Sequence, residues 1–111
     1  MTRSVGDHAE ELARQYLEKQ GLITREQNYR TKFGELDLIM QDGEVLVFVE
    51  VKYRSSDRFG NPLEAVDLRK QRRIKMLARH YMAKLRCEPL CRFDVVGILG
   101  NEIYWVKGAF T

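Results

Sequence analysis

Between residues 36 and 53 the apolar positions fall into two segments that read as strands folded back on each other. Leu36 to Met40 is the first and Val45 to Tyr53 the second, with Gln-Asp-Gly-Glu at 41 to 44 between them. Asp-Gly accepts the positive φ that a tight hairpin turn needs. Successive strand side chains point to opposite faces, so residues two apart share one. Val47, Val49, Val51 and Tyr53 therefore line one side of the second segment, and Leu46, Phe48, Glu50 and Lys52 the other. Upstream, Ala9, Leu12, Ala13, Tyr16 and Leu17 recur at helical spacing, which predicts a helix over 7–20. Asp7 is its expected N-cap, with Glu10 three residues on, close to a capping box, and Gly21 its stop. Residues 22–30 alternate weakly and read as a first strand.

Downstream of a polar loop, Arg54 to Asn61, the run Asn61-Pro62-Leu63-Glu64 has the chemistry of a helix start. The helical pattern continues to about Arg86, with a break near Asp67. Its apolar stripe is Leu63, Ile74, Leu77, Ala78, Tyr81 and Leu85, and Lys70 lies on that stripe, one turn before Ile74. Arg72, Lys75, Arg79 and Arg86 cluster on the opposite face. Arg92 to Leu99, a Gly100-Asn101 turn and Glu102 to Val106 complete the pattern. The order α-β-β-β-α-β-β predicts an α/β or α+β domain, a mixed sheet with helices against it. No repeat or linker divides the chain, so residues 1–111 are expected to form one domain.

Composition narrows the class. With 44% hydrophobic and 32% charged residues, the chain reads as globular rather than disordered. A domain of 111 residues buries about 65% of its unfolded surface, enough for a core. The longest apolar run, Val45 to Val49, is far too short to cross a bilayer, and the start Met-Thr-Arg-Ser-Val-Gly-Asp has no apolar signal region. A cytoplasmic protein without a membrane partner is expected. Cys87 and Cys91 do not make a disulfide framework and, with only His8 and His80 besides, do not suggest zinc. They read as two reduced thiols flanking Pro89. The net charge of +3 is modest, but Arg69, Lys70, Arg72, Arg73 and Lys75 crowd together. Such a patch is the footprint of nucleic-acid binding and also the look of a solvated helix face, the preferred reading on charge alone.

The chemistry lies on the Glu50 face. A carboxylate and an ammonium at the end of an apolar strand are both expensive to desolvate. If Asp42 and Gly43 form the loop, Gln41 pairs with Glu44 and partners sum to 85. Asp37 then lies opposite Phe48 and diagonal to Glu50, about 7–8 Å away, near enough for both carboxylates to close on one cation. Helix phase places Glu10 at the edge of the apolar stripe, able to lean over the sheet, while Glu11 points away into solvent. Asp, Glu and Lys so arranged suit metal-assisted phosphodiester hydrolysis. Carboxylates, with the Val51 carbonyl as a further ligand, match Mg²⁺ or Mn²⁺. Lys52 could position water and stabilise phosphoryl charge. Each piece taken singly has a bland reading, since an exposed Glu-x-Lys pair contributes roughly 0–1 kcal/mol and is common.

Together these runs resemble a known family. Gly34-Glu35-Leu36-Asp37-Leu38-Ile39 followed by Phe48-Val49-Glu50-Val51-Lys52-Tyr53-Arg54 is similar to the YraN family of small bacterial proteins, within the PD-(D/E)xK nuclease superfamily. Ala9-Glu10-Glu11-Leu12-Ala13, Tyr16-Leu17, Lys70, Ala78-x-x-Tyr81 and Arg92-Phe93-Asp94-Val95-Val96 extend the likeness over nearly the whole chain. The resemblance implies a restriction-endonuclease-like fold and Asp37, Glu50 and Lys52 as a catalytic core. It adds Glu10 as the helix acid seen in archaeal Holliday-junction resolvases. The superfamily's proline before the aspartate is replaced here by Leu36. The implied activity is Mg²⁺- or Mn²⁺-dependent cleavage of branched or otherwise structured DNA. A catalytically silent nucleic-acid-binding module and an adaptor in DNA processing remain the rival readings. Arg25, Arg30 and Lys32, interleaved with Asn28, Tyr29 and Phe33, are the expected phosphate contacts before the site strand. Arg54, Arg58 and Lys70 are those after it. Cutting two strands would call for two sites, which a homodimer about a two-fold axis supplies. Tyr104 and Trp105 on the last hairpin are candidates for a contact surface.

Overall fold

The computed structural model describes residues 5–55 and 66–111. The expected helix start at Asn61 to Glu64, the stripe residue Leu63 and the candidate phosphate contact Arg58 lie outside the described residues. The observed order is α1 (Val5–Lys19), β1 (Ile23–Thr31), β2 (Gly34–Asp42), β3 (Val45–Arg54), α2 (Leu68–Ala83), β4 (Leu90–Leu99) and β5 (Glu102–Phe110). The strands form one sheet in sequence order, antiparallel except for the parallel pair β3–β4 that α2 bridges. This is the expected α+β architecture, a mixed sheet with two helices, compatible with a restriction-endonuclease-like fold.

Strand alternation divides the core between the two faces. Leu38, Met40, Val47, Val49, Val96 and Ile98 pack with Ala9, Ala13 and Leu17 of α1. Ile39, Leu46, Phe48 and Val95 pack with Ile74, Leu77, Ala78 and Tyr81 of α2. Each helix thus buries one stripe, and the central strands are apolar on both sides, as strands covered on both faces must be.

Local chemistry fixes the ends. Gly21, at φ +100°, closes α1: Gly21 N–H donates to the Glu18 carbonyl at 3.0 Å and Leu22 N–H to Leu17 at 3.1 Å. This is a Schellman close with its apolar contact, since Leu17 and Leu22 are both buried. Asp7 is not the cap. It lies inside the first turn, where its charge meets the positive end of the helix dipole. The break near Asp67 is the N-cap of α2, whose carboxylate accepts from Lys70 N–H at 2.8 Å. The helix ends at Ala83 rather than Arg86.

The β2–β3 hairpin turns one position later than the sequence suggests. Asp42 pairs with Val45 and partners sum to 87, so Gly43-Glu44 is the loop. Positive φ falls on Gly43 alone of the two, at +61°. Asp42 stays in the strand because its carboxylate accepts from Arg92 Nη1 at 3.1 Å. A shift of two in the sum preserves which side chains share a face. β5 runs past its expected end at Val106 to Phe110. The register shifts between Phe93 and Val95, and the buried Asp94 carboxylate there accepts from Gly108 N–H and Trp105 Nε1, each at 2.9 Å. It also accepts from Arg92 Nε and Nη2 at 2.9 and 3.0 Å. No helix among the described residues is long and apolar enough to cross a membrane.

Candidate metal centre

The site lies where β2 and β3 part. Their ladder ends at Leu38↔Val49. Continued, it would bring Val51 N–H to the Leu36 carbonyl. Leu36 instead joins the α2-side core, and the Asp37 carboxylate enters the gap, Oδ2 accepting from Val51 N–H at 2.9 Å. In a strand the N–H and C=O of one residue point to the same edge. The Val51 carbonyl therefore also faces the side on which β2 has diverged. Asp37 lies beyond the last paired position, so it is neither opposite nor diagonal to a β3 partner; its carboxylate fills the gap between the strands.

Three carboxylates converge on this point. One oxygen from each of Glu10, Glu35 and Asp37 lies within 4.8 Å of the other two. Asn28 is wedged among them. With its amide nitrogen turned inward it donates to Glu10 Oε2 at 2.8 Å and Glu35 Oε1 at 2.7 Å. Its positive φ of 52°, unusual for a residue other than glycine, is part of that placement. A cleft of about 350 Å³ opens beside Glu10, Asn28, Arg30 and Leu38.

The electrostatics follow from crowding. Burial, then the nearby Glu50 charge, pushes the Asp37 carboxyl up to about 8, against the Val51 hydrogen bond that lowers it. Burial also raises Glu10, while the hydrogen bond between the two carboxyls lowers Glu10 and raises Asp37. In the absence of a cation, a proton thus neutralises part of the cluster. Hard oxygen donors of this kind and number fit Mg²⁺ or Mn²⁺, which would displace that proton.

On the α2 side, Glu50 is buried and its carboxylate is held in an ion pair with Lys70 Nζ. Lys70 therefore looks inward, as its place on the apolar stripe suggested. Half-buried Lys52 lies near both: burial and then the Lys70 charge lower its ammonium pKa, while Glu50 raises it. Its proton is thus more readily given up than that of an exposed lysine.

The fold thus gathers Glu10, Asp37, Glu50, Val51, Lys52 and Lys70. Glu11, expected in solvent, is half-buried: it pairs with Arg14 and borders the same cleft as Glu10. Of the expected phosphate contacts, Arg30 borders the cleft and pairs with Glu35 at 3.2 Å. Lys32 lies at the β1–β2 turn. Arg54 is exposed one strand-step past Tyr53, donating to its carbonyl at 2.8 Å. Arg25 is at the other end of the hairpin, donating to Gln41 Oε1 at 2.6 Å. Four residues of strand, about 13 Å, separate that level from Asp37. Glu35 was not anticipated as a member, although its spacing two before Asp37 in a strand is the signal that could have found it.

Comparison with known proteins identifies the chain's family. Residues 9–98 match the family described as "Uncharacterised protein family UPF0102". A UPF0102 protein of Nitrosospira multiformis is 48% identical over 97% of this chain and 93% of its own length. One from Shewanella frigidimarina is 48% identical over 95% and 97%. One from Nitrosomonas europaea is 47% identical over 95% and 92%. From Ala9 in α1 to Ile98 in β4, the matched span holds every carboxylate and lysine of the site, and the chain belongs to the UPF0102 family.

Proposed function

We propose that the protein is a metal-dependent endonuclease that hydrolyses phosphodiester bonds in structured DNA. The observation that carries this is the parting of β2 and β3 at Asp37, where oxygens of Glu10 from α1 and of Glu35 and Asp37 from β2 lie within 4.8 Å of one another, with the Glu50 charge near enough to raise Asp37. Glu10, Glu35, Asp37 and the Val51 carbonyl are the residues at that point that would hold Mg²⁺ or Mn²⁺, with Glu50, paired with Lys70, as a further ligand. When bound, such a cation polarises the phosphodiester and acidifies a water.

The remaining work falls to this chain's own groups. The Val51 N–H fixes the Asp37 carboxylate in the gap. Lys52, with its lowered ammonium pKa, stabilises charge on the phosphoryl oxygens or orients the attacking water. Lys70 holds Glu50 in place while no cation does so, and would be released toward phosphate when one binds. Arg30 and Lys32 flank the cleft for the strand's neighbouring phosphates. Among the described residues, Arg30, Lys32 and Lys52 at the cleft and site lie on strands and a turn rather than on a helix, which favours selectivity by DNA structure over base reading.

The test is cleavage of end-labelled linear duplex, single-stranded and four-way-junction DNA with Mg²⁺ or Mn²⁺. The wild type should cut at least one substrate, and Glu50→Ala and Lys52→Ala should each lose at least about 100-fold in rate, the scale of one acid–base or electrostatic group. Binding without cleavage on every substrate and with both metals would overturn the proposal in favour of a binding module.

A further inference from the structure

The β1–β2 turn presents an aromatic side chain at the edge of the candidate metal centre. Lys32 and Phe33 form the two-residue loop between Thr31 and Gly34. Phe33 is 50% exposed, with Lys32 Nζ 5.2 Å from its ring centroid. An exposed phenyl on a loop is often incidental, but three observations set this one apart.

The loop is fixed. Thr31 Oγ1 accepts from Phe33 N–H at 3.0 Å. Gly34, at φ +140°, lies so close to α2 that an added methyl would come within 3.2 Å of Arg73 Cδ and 3.6 Å of Leu77 Cδ1. Since Leu77 is fully buried, the turn rests on the core. Cations gather there: Lys32 and Arg73 lie at the turn, and Arg30 just behind it is paired with Glu35 at 3.2 Å but leaves its side chain 76% exposed. The position is also telling. Glu35, a member of the carboxylate cluster, is two residues from Phe33, at most about 7 Å along the chain. That is comparable to the step between neighbouring nucleotides of an extended strand.

We infer that Phe33 is a stacking platform for an unpaired base next to the phosphodiester held at the carboxylates. The inference rests on the nuclease reading and names its substrate class: DNA with unpaired bases, such as single strands, flaps and the open centre of a junction. A base inside a duplex is stacked on both faces and cannot meet the ring. An unpaired base can, while Lys32, Arg30 and Arg73 take the flanking phosphates.

Binding is measured by fluorescence anisotropy with Ca²⁺ replacing Mg²⁺, on a single strand, a flapped duplex and a blunt duplex. Phe33→Ala should weaken the first two by about 5- to 100-fold, the loss of one base–aromatic stack. Its effect on the blunt duplex should stay within about twofold. Phe33→Trp should restore binding. A 2-aminopurine in the flap beside the junction should be quenched by the wild type and not by Phe33→Ala. Equal binding of wild type and Phe33→Ala to flapped DNA, or an equal loss on blunt duplex, would overturn the inference. None of these readouts involves cleavage. A protein that cuts DNA but is indifferent to Phe33→Ala retains the nuclease reading and loses this one. A protein that quenches the probe through Phe33 but cuts nothing does the reverse.

Discussion

Asp37 is the residue on which the site turns, and its environment sets a pH dependence. Its carboxyl is raised from an ordinary value near 3.8 to about 8, first by burial and then by Glu50. A carboxyl raised on folding favours the folded state fully only below its unfolded pKa. That contribution is lost as pH climbs through the folded value. Metal-free protein should therefore lose stability between about pH 4 and 8, and Glu10, raised in the same direction, adds to the trend. Asp37→Asn can still accept from Val51 N–H but carries no charge. Thermal melts should show it more stable than wild type at pH 9, by at least about 1.4 kcal/mol, and indistinguishable at pH 4. Wild type that is equally stable across this range would contradict the crowding. Cation binding should also release protons, so Mn²⁺ affinity measured calorimetrically should rise from pH 6 to 8 in wild type. Lys70→Met probes the other side of the gap. It leaves the buried Glu50 carboxylate without its ammonium partner, at about 1–3 kcal/mol. Saturating Mn²⁺ should recover much of that loss, whereas a loss unchanged by Mn²⁺ would place Glu50 outside the centre.

At the level of elements, the sheet is held by polar anchors as well as by its core. Asp94 is fully buried and receives donors from Arg92, Trp105 and Gly108. Removing it leaves the partly buried Arg92 guanidinium with Asp42 alone, and the Trp105 indole N–H and Gly108 N–H without this acceptor. Asp94→Ala should destabilise by about 3–5 kcal/mol in urea melts, and a loss below about 1 kcal/mol would show the anchor to be incidental. This anchor also explains a limit of the sequence reading. Lys107-Gly108 looks like the end of a strand, but the bulge at Asp94 captures the Gly108 N–H, so β5 continues to Phe110. The turn at residues 41–44 was misplaced for a similar reason. Asp42-Gly43 has good turn chemistry, and the long-range contact from Arg92 that keeps Asp42 in the strand leaves no local trace. Patterns that depend on period alone were legible. The α2 stripe marked Lys70, and helix phase turned Glu10 toward the sheet, although Glu11 borders the same cleft; parity, preserved under the misplaced turn, did not foresee that Asp37 leaves the strand faces for the gap. Glu35 escaped because the divergence of β2 from β3, which lets neighbouring acids converge, is a tertiary event.

At the scale of the whole molecule, the fold explains why a charged site can exist in a small domain. Five strands with a helix on each face bury two apolar clusters, so their shared sheet is rigid up to Leu38↔Val49. Beyond that pair the strands separate, and polar side chains replace the ladder. Acids come from α1, β2 and β3 and cations from β3 and α2, so that no single element carries the chemistry. The architecture and family membership stand on the sheet and on relatives matched over nearly their full length. Cation binding at the parting of β2 and β3 is the step from which the proposed activity follows. The most direct measurement is anomalous scattering at the manganese edge from crystals grown with saturating Mn²⁺. A peak in contact with Asp37 and with Glu10 or Glu50, absent in Asp37→Asn, is the predicted result; no peak there at saturation, with the three acids ordered, would contradict it.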